Sequence, residues 1–327
     1  MNQFEHVQVM CPGNAVTGGP EALHHLVHLL RELGVDARMV YTPLGHNFEV
    51  PQAYQDFNVK VGGFEDIAGD LIVFPEIQPM DALAVKHAKA AMWWLSLDNF
   101  LERRHASKIR DRVRYWKGVL KGRRPRQGVE ALRSIVHFSQ SYYSSEYLKS
   151  KGIPFVDFYE PINARFLSRD LDPGAEGRVD EILFNPSKGK KFTDRLIARY
   201  PEIKFTPLKG FNKEQLALKF QTAKLYIDFG HHPGRDRMPR EAAMHGCCVV
   251  TSRLGAAGNP IDIPIADAYK LNTSSVEFEV TFGDVAKEIF TNFEKHHDCF
   301  EAYRDRIMTE PETFKSQIAA FFVNPRK

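Results

Sequence analysis

Between residues 181 and 251 short apolar runs alternate with amphipathic ones, and several of the apolar runs lead into loops of glycine and cations. The run over 181–185 predicts a strand, and Pro186, Ser187, Lys188, Gly189, Lys190 and Lys191 follow it as a basic loop. A helix over 192–200, a strand over 203–206, a loop through Gly210 and Phe211, and a helix over 213–222 come next. A strand over 224–229, a loop over 230–237, a helix opened by Pro239, Arg240 and Glu241, and a strand over 247–251 complete the series. Alternation of this kind is the pattern of a parallel sheet wrapped by helices, so the chain is expected to be α/β. In such sheets ligands bind at the carboxyl edge, where these loops gather.

The first half repeats the pattern. Residues 7–10 predict a strand, and a glycine-rich loop containing Gly13, Gly18 and Gly19 feeds a helix. Its apolar positions Leu23, Leu26, Val27, Leu30 and Leu33 fall at helical spacing, with Pro20 expected at its start and Gly34 as its stop. The dinucleotide-binding spacing Gly-x-Gly-x-x-Gly is absent from this loop. A strand over 134–140, a helix over 142–152 and a strand over 154–159 lead to a boundary near Glu160. Two domains, 1–160 and 161–327, suit a chain of 327 residues, since domains commonly run to about 100–200 residues.

In this order the pieces resemble GT-B glycosyltransferases of the family 4 type, which build bacterial polysaccharides, and the resemblance covers most of the chain. It implies two Rossmann-like domains facing a central cleft, with the last helices partly returning to the first. By the same resemblance Lys188 and Gly189 hold a donor diphosphate, Gly210 and Phe211 lie beside the base, and Glu241 binds the ribose, while Lys191 is added as a donor-binding cation by its place at the same helix start. Gly18 and Gly19 match the family's Gly-Gly loop. Two departures stand out. Where retaining members carry a first glutamate, eight residues before the second, this chain has Pro233, with His232 and Asp236 flanking it as replacements. The family's His-Asp after the fourth strand is replaced by Ser96, Leu97 and Asp98. Donor sugar and stereochemistry therefore stay open. A sugar-nucleotide epimerase and a non-catalytic nucleotide-sugar-binding protein are the alternative readings.

Hydrophobic residues make up 43% of the chain and charged residues 26%, which supports packed cores and excludes a disordered polar chain. No stretch approaches the ~18 apolar residues of a membrane span, and no signal peptide is legible, so a cytoplasmic location is expected. Net charge is only +3, but eleven lysines and arginines crowd into 103–126 against Asp111 alone. Arg112, Arg114, Lys117 and Lys121 interleave there with Trp116, Val119 and Leu120. An insertion of that composition is expected to bind the anionic inner face of a membrane, with a solvated loop as the plainer reading. Nucleic acid is not expected, because no recognition motif accompanies the patch.

Among residues suited to chemistry, Asp98 and Glu21 compete as general base for an acceptor hydroxyl, carboxylates being common in that role. Asp98 could equally cap the segment that follows it. Glu241 reads as a first-turn helix acid, and Arg235, Arg237 and Arg240 as a cationic rim for an anion. Lys188, Lys190 and Lys191 at a helix start oppose the helix dipole unless an anion sits there. The pairs His24–His25, His231–His232 and His296–His297 show no carboxylate completing a compact ligand set, so no metal and no cofactor are expected, and His296–His297 reads as solvated surface. The four cysteines have no pairing pattern and read as reduced. The expected substrates are a nucleotide sugar and a glycan, lipid-linked in the first instance.

Overall fold

The computed structural model describes residues 3–104 and 128–323; Arg112, Arg114, Trp116, Lys117 and Lys121 lie outside the described residues. The chain divides into two compact units, one running to Glu160 and taking in the residues from Glu312 onward, the other Pro161–Pro311.

The first unit holds β1 (Val7–Pro12), β2 (Ala37–Thr42), β3 (Leu71–Pro75), β4 (Lys89–Trp94), β5 (Val136–Ser139) and β6 (Val156–Asp157). They form one parallel sheet in the order β2-β1-β3-β4-β5-β6. Side chains alternate across a strand, and each face finds its own core. Val7, Val9, Leu71, Val73, Ala91 and Trp93 join one buried cluster, while Met10, Ile72, Phe74, Met92 and Trp94 join another. Both faces are thus covered, as an all-parallel sheet requires. Helices α1 (Gly18–Glu32), α2 (Pro79–Ala82), α3 (Leu97–Arg104) and α4 (Tyr142–Ser150) connect the strands. Helix α1 starts at Gly18, two residues before the expected Pro20, and buries Leu23, Leu26, Val27 and Leu30.

The second unit holds β7 (Val179–Phe184), β8 (Lys204–Pro207), β9 (Ala223–Asp228), β10 (Cys248–Ser252) and β11 (Lys270–Leu271). All pairings are again parallel, in the order β11-β10-β9-β7-β8. Its helices are α5 (Lys190–Arg199), α6 (Lys213–Thr222), α7 (Arg237–Met244), α8 (Phe278–Thr291) and α9 (Phe293–Asp298). Cys11, Cys247 and Cys248 are buried and none of the four cysteines is in a disulfide. Burial pushes the Cys247 thiol up to about 12, so it packs as a small hydrophobe. The expectation of a solvated His296–His297 is corrected, because Tyr269 lies 2.8 Å from His296 Nδ1 and Asp172 lies 2.7 Å from His297 Nε2.

The last helix, α10 (Glu301–Phe322), carries Pro311, and the division between the units falls there. From its second part Phe314, Ile318 and Phe322 enter the core of the first unit. Phe314 is fully buried, stacked on Trp93 at 5.9 Å and edge-on to His25 at 5.4 Å. Replacing Phe314 by Ala should cost the first unit about 3–5 kcal/mol, the usual range for emptying a buried aromatic site. Chemical denaturation measures it, and a change within about 0.5 kcal/mol would place Phe314 outside that core.

Candidate functional site

Because the second sheet is parallel, its loops after β7, β8, β9 and β10 all leave from one edge. Strand register sets Phe184 opposite Ile227, so the chain after Phe184 runs beside the chain after Ile227. Gly189 caps α5 in a left-handed conformation, φ 58°, that side chains resist. A Cβ there would stand 2.6 Å from the Gly230 backbone nitrogen, closer than any real contact. Lys188 is therefore pressed against the loop after β9. On the other side of that loop Gly255, φ 63°, leaves no room for a side chain against the His232 carbonyl. There the Ala256 N–H donates to His232 O at 2.8 Å and Ser252 Oγ donates to Gly230 O at 2.7 Å.

These loops bring a chain of charges together. Lys188 Nζ is paired with Asp236, whose Oδ2 lies 2.8 Å from His232 Nδ1. His232 is fully buried, and its Nε2 lies 3.7 Å from Asp228 Oδ1. Burial opposes a charge on the ring, but Asp228 and Asp236 outweigh it and raise the His232 pKa above its ordinary value, with Lys188 acting against them. Burial likewise opposes the Asp236 charge, yet His232 and Lys188 hold it down at about 2. Tyr226 donates to Asp228 Oδ2 at 3.4 Å, and burial with three nearby carboxylates pushes its phenol far up.

Four expectations are corrected. The lysines are not unopposed: Lys188 has Asp236, and Lys190 Nζ lies 2.6 Å from Asp194, one turn on. Lys191 instead lies over the Phe192 ring at 4.5 Å. A compact ligand set does exist, since Asp228, His232 and Asp236 hold ligand atoms all within 4.8 Å of one another; the Lys188 ammonium is the cation found against it. Arg235 and Arg240 are buried rather than lining a rim, because Glu310 takes both, Arg240 Nη1 at 2.6 Å. Arg237 is half-buried as the first residue of α7. Glu241 is buried but is the fifth residue of α7, which starts at Arg237, so a first-turn acid is not what it is.

Gly210, φ 79°, and Phe211, 37% exposed, form the loop after the edge strand β8. In the first unit Gly18, Gly19 and Glu21 open α1 after β1. His24, one turn on, is a satisfied core residue between Pro20 O at 2.6 Å and the Tyr41 hydroxyl at 2.8 Å, and burial lowers its pKa. Asp98 is the second residue of α3; the cap is Ser96, whose Oγ accepts from Asn99 N at 3.4 Å. Tyr143 donates to Asp98 Oδ1 at 3.3 Å. Asn99 also donates to Glu76, a buried acid after β3, at 3.2 Å.

Glu76, Asp228 and Glu310 were not singled out by sequence. Asp228 had a signal, as a carboxylate closing an apolar strand just before Gly230. Glu310 had none, being remote in sequence from the arginines it holds.

No family model matches this chain, and no curated protein matches its sequence. Solved structures do match. HepE of Anabaena, in complex with UDP and glucose, superposes with a TM-score of 0.67 at 12% identity, over 97% of this chain and 99% of that one. Sucrose-phosphate synthase of Thermosynechococcus elongatus gives 0.62 at 11% identity over 97% and 98%. The lipopolysaccharide outer core galactosyltransferase WaaB gives 0.54 at 12% identity over 94% and 99%. The fold is GT-B. In this GT-B chain the candidate residues gather at the carboxyl edges of two Rossmann-like sheets, one in each unit.

The charge chain predicts a two-sided pH profile. A raised His232 pKa means its contribution is complete below 6.5 and is lost as pH rises through the folded value. A depressed Asp236 pKa means its contribution is present above 3.8 and is lost as pH falls through about 2. The His232→Asn variant should lack the alkaline loss of stability. Denaturation curves collected across pH test this, and parallel profiles for the two proteins above 6.5 would remove His232 from the account.

Proposed function

We propose that this chain is a glycosyltransferase that moves a sugar from a nucleotide diphosphate donor to a hydroxyl of a glycan acceptor. The observation that carries the reading is the docking of Lys188 and Gly189 onto the loop that bears His232 and Asp236, at the sheet edge where α/β ligands bind. Lys188 takes the diphosphate oxygens in exchange for Asp236, and Lys191 and Arg237 add charge. Glu241 accepts from the ribose, and Gly210 and Phe211 flank the base. His232 and Asp236 stand nearest the donor sugar in place of the glutamate that Pro233 replaces. The acceptor oxygen attacks the anomeric carbon, the bond to the diphosphate breaks, and the acceptor proton passes to a carboxylate, Asp98 or Glu21. Gly18 and Gly19, at the start of α1, are also assigned to the donor in this reading.

Catalysis in this reading rests on positioning and on cations that stabilise the departing diphosphate, without a metal. HepE was solved with UDP and glucose, which makes UDP-hexoses the first donors to try. The acceptor is a cell-surface polysaccharide intermediate, lipid-linked, met by a peripheral protein at the inner membrane face. No described helix is long and apolar enough to cross a membrane, and the sequence patch over 102–127 supplies the attachment.

Lys188→Ala should weaken UDP binding by at least about tenfold and leave uridine nearly unchanged, since charged hydrogen bonds are worth about 1.5–3 kcal/mol. Glu241→Ala should weaken both ligands alike, through the ribose. Titration calorimetry compares them, and a Lys188 variant that loses both equally would remove the diphosphate role. Transfer from the donor should survive excess chelator; loss of activity restored by a divalent ion would reassign the Asp228, His232 and Asp236 set as a metal site. Changing Arg112, Arg114, Lys117 and Lys121 to Glu should release the protein from anionic vesicles while UDP affinity holds. Equal co-sedimentation of both forms would end the membrane assignment.

A further inference from the structure

The first unit contains a cavity of about 650 Å³ that the donor chemistry does not use. It opens at the carboxyl ends of β1, β2 and β3, where Met10, Thr42 and Phe74 line it. Its volume is that of a site for a small organic ligand. Ile77 and Val85 add further apolar wall, and Leu44 and Phe64 close the lining. These last two are 51% and 37% exposed, so the apolar wall they form reaches solvent.

The polar groups narrow the choice of ligand. Asp66 and Asp81 line the cavity, and no lysine, arginine or histidine does so among the described residues. Asp66 is already occupied, accepting the N–H groups of Lys86, His87 and Ala88 at 2.8–2.9 Å. Carboxylates without a cation repel phosphates, so neither a nucleotide nor a lipid diphosphate belongs here. Gln78 donates through Nε2 to Thr42 Oγ1 at 2.8 Å, while its Oε1 is buried without a partner. A buried acceptor lacking a donor is costly, and a ligand hydroxyl would satisfy it.

We infer that this cavity holds the uncharged hydrocarbon part of the acceptor, with a hydroxyl at its head bonded to Gln78. The inference rests on the glycosyltransfer reading in one respect: the charged and ribose-binding donor residues lie in the second unit, which leaves this apolar site in the first unit to the other substrate. The acceptor class it names is an alkyl-bearing glycoside rather than a bare sugar.

Saturation-transfer NMR with octyl glucoside, kept below micelle formation, tests it on the full chain. Saturation should reach the alkyl protons more strongly than the sugar protons, and glucose or octyl phosphate should bind at least about tenfold more weakly. Val85→Trp, which fills the cavity, and Leu44→Asp, at an exposed position, should each lose about tenfold in octyl glucoside affinity while UDP affinity is kept. The second variant guards against a folding defect in the first. Unchanged octyl glucoside affinity in both, or octyl phosphate binding as tightly, would overturn the assignment. If wild type binds octyl glucoside at this site but not UDP, the hydrocarbon site stands and the glycosyltransfer reading falls. If it binds UDP but not octyl glucoside, the reverse holds.

Discussion

The candidate donor residues depend on one pairing, the parallel register of β7 with β9. These strands are not consecutive, because β8 lies on the far side of β7. A crossover of this sort puts two strand ends side by side only if the connection passes over the sheet as helix, strand and helix. Residues 185–189 and 228–236 are thereby neighbours although some forty residues separate them in the chain. Lys188 would otherwise be an ordinary surface lysine at a helix start.

Charge at that edge is nearly self-balanced without a ligand. Lys188, and His232 once it is protonated, face Asp228 and Asp236, with Glu241 buried close by in α7. On the proposed donor reading, a diphosphate enters by exchange, displacing Asp236 from Lys188 rather than filling an unbalanced cationic hole. Arg235 and Arg240, which look cationic in sequence, are consumed by Glu310 and hold the loop and α7 in place instead. Their buried pairing has a structural use: breaking it would leave an uncompensated charge inside the unit.

Much of the architecture was legible because a parallel sheet covered on both faces writes its strands as short apolar runs. The runs at 181–185, 224–229 and 247–251 appear within a residue or two as β7, β9 and β10. Helix starts were read less well, and for one reason. In both α1 and α7 the proline is the third helical residue, not the first, with Gly18 and Arg237 leading. Throughout the first turn the N–H is unsatisfied anyway, so proline is tolerated at any of these positions and marks the start only to within a turn. Side-chain pairing followed a similar rule of distance. Lys190 with Asp194 lies one turn apart and is readable; Lys188 with Asp236, or Arg240 with Glu310, is not. The cavity near Gln78 had no sequence signal, since its walls come from several separate segments.

The contact between Gly189 and Gly230 leaves no space for even a methyl group. Two loops that touch backbone to backbone cannot be redesigned one at a time: lengthening or decorating either pushes Lys188 away from Asp236. On the proposed donor reading, an engineer seeking a new preference would do better to leave both untouched and vary Phe211 or Arg237, which are exposed or half-buried and lie outside that contact.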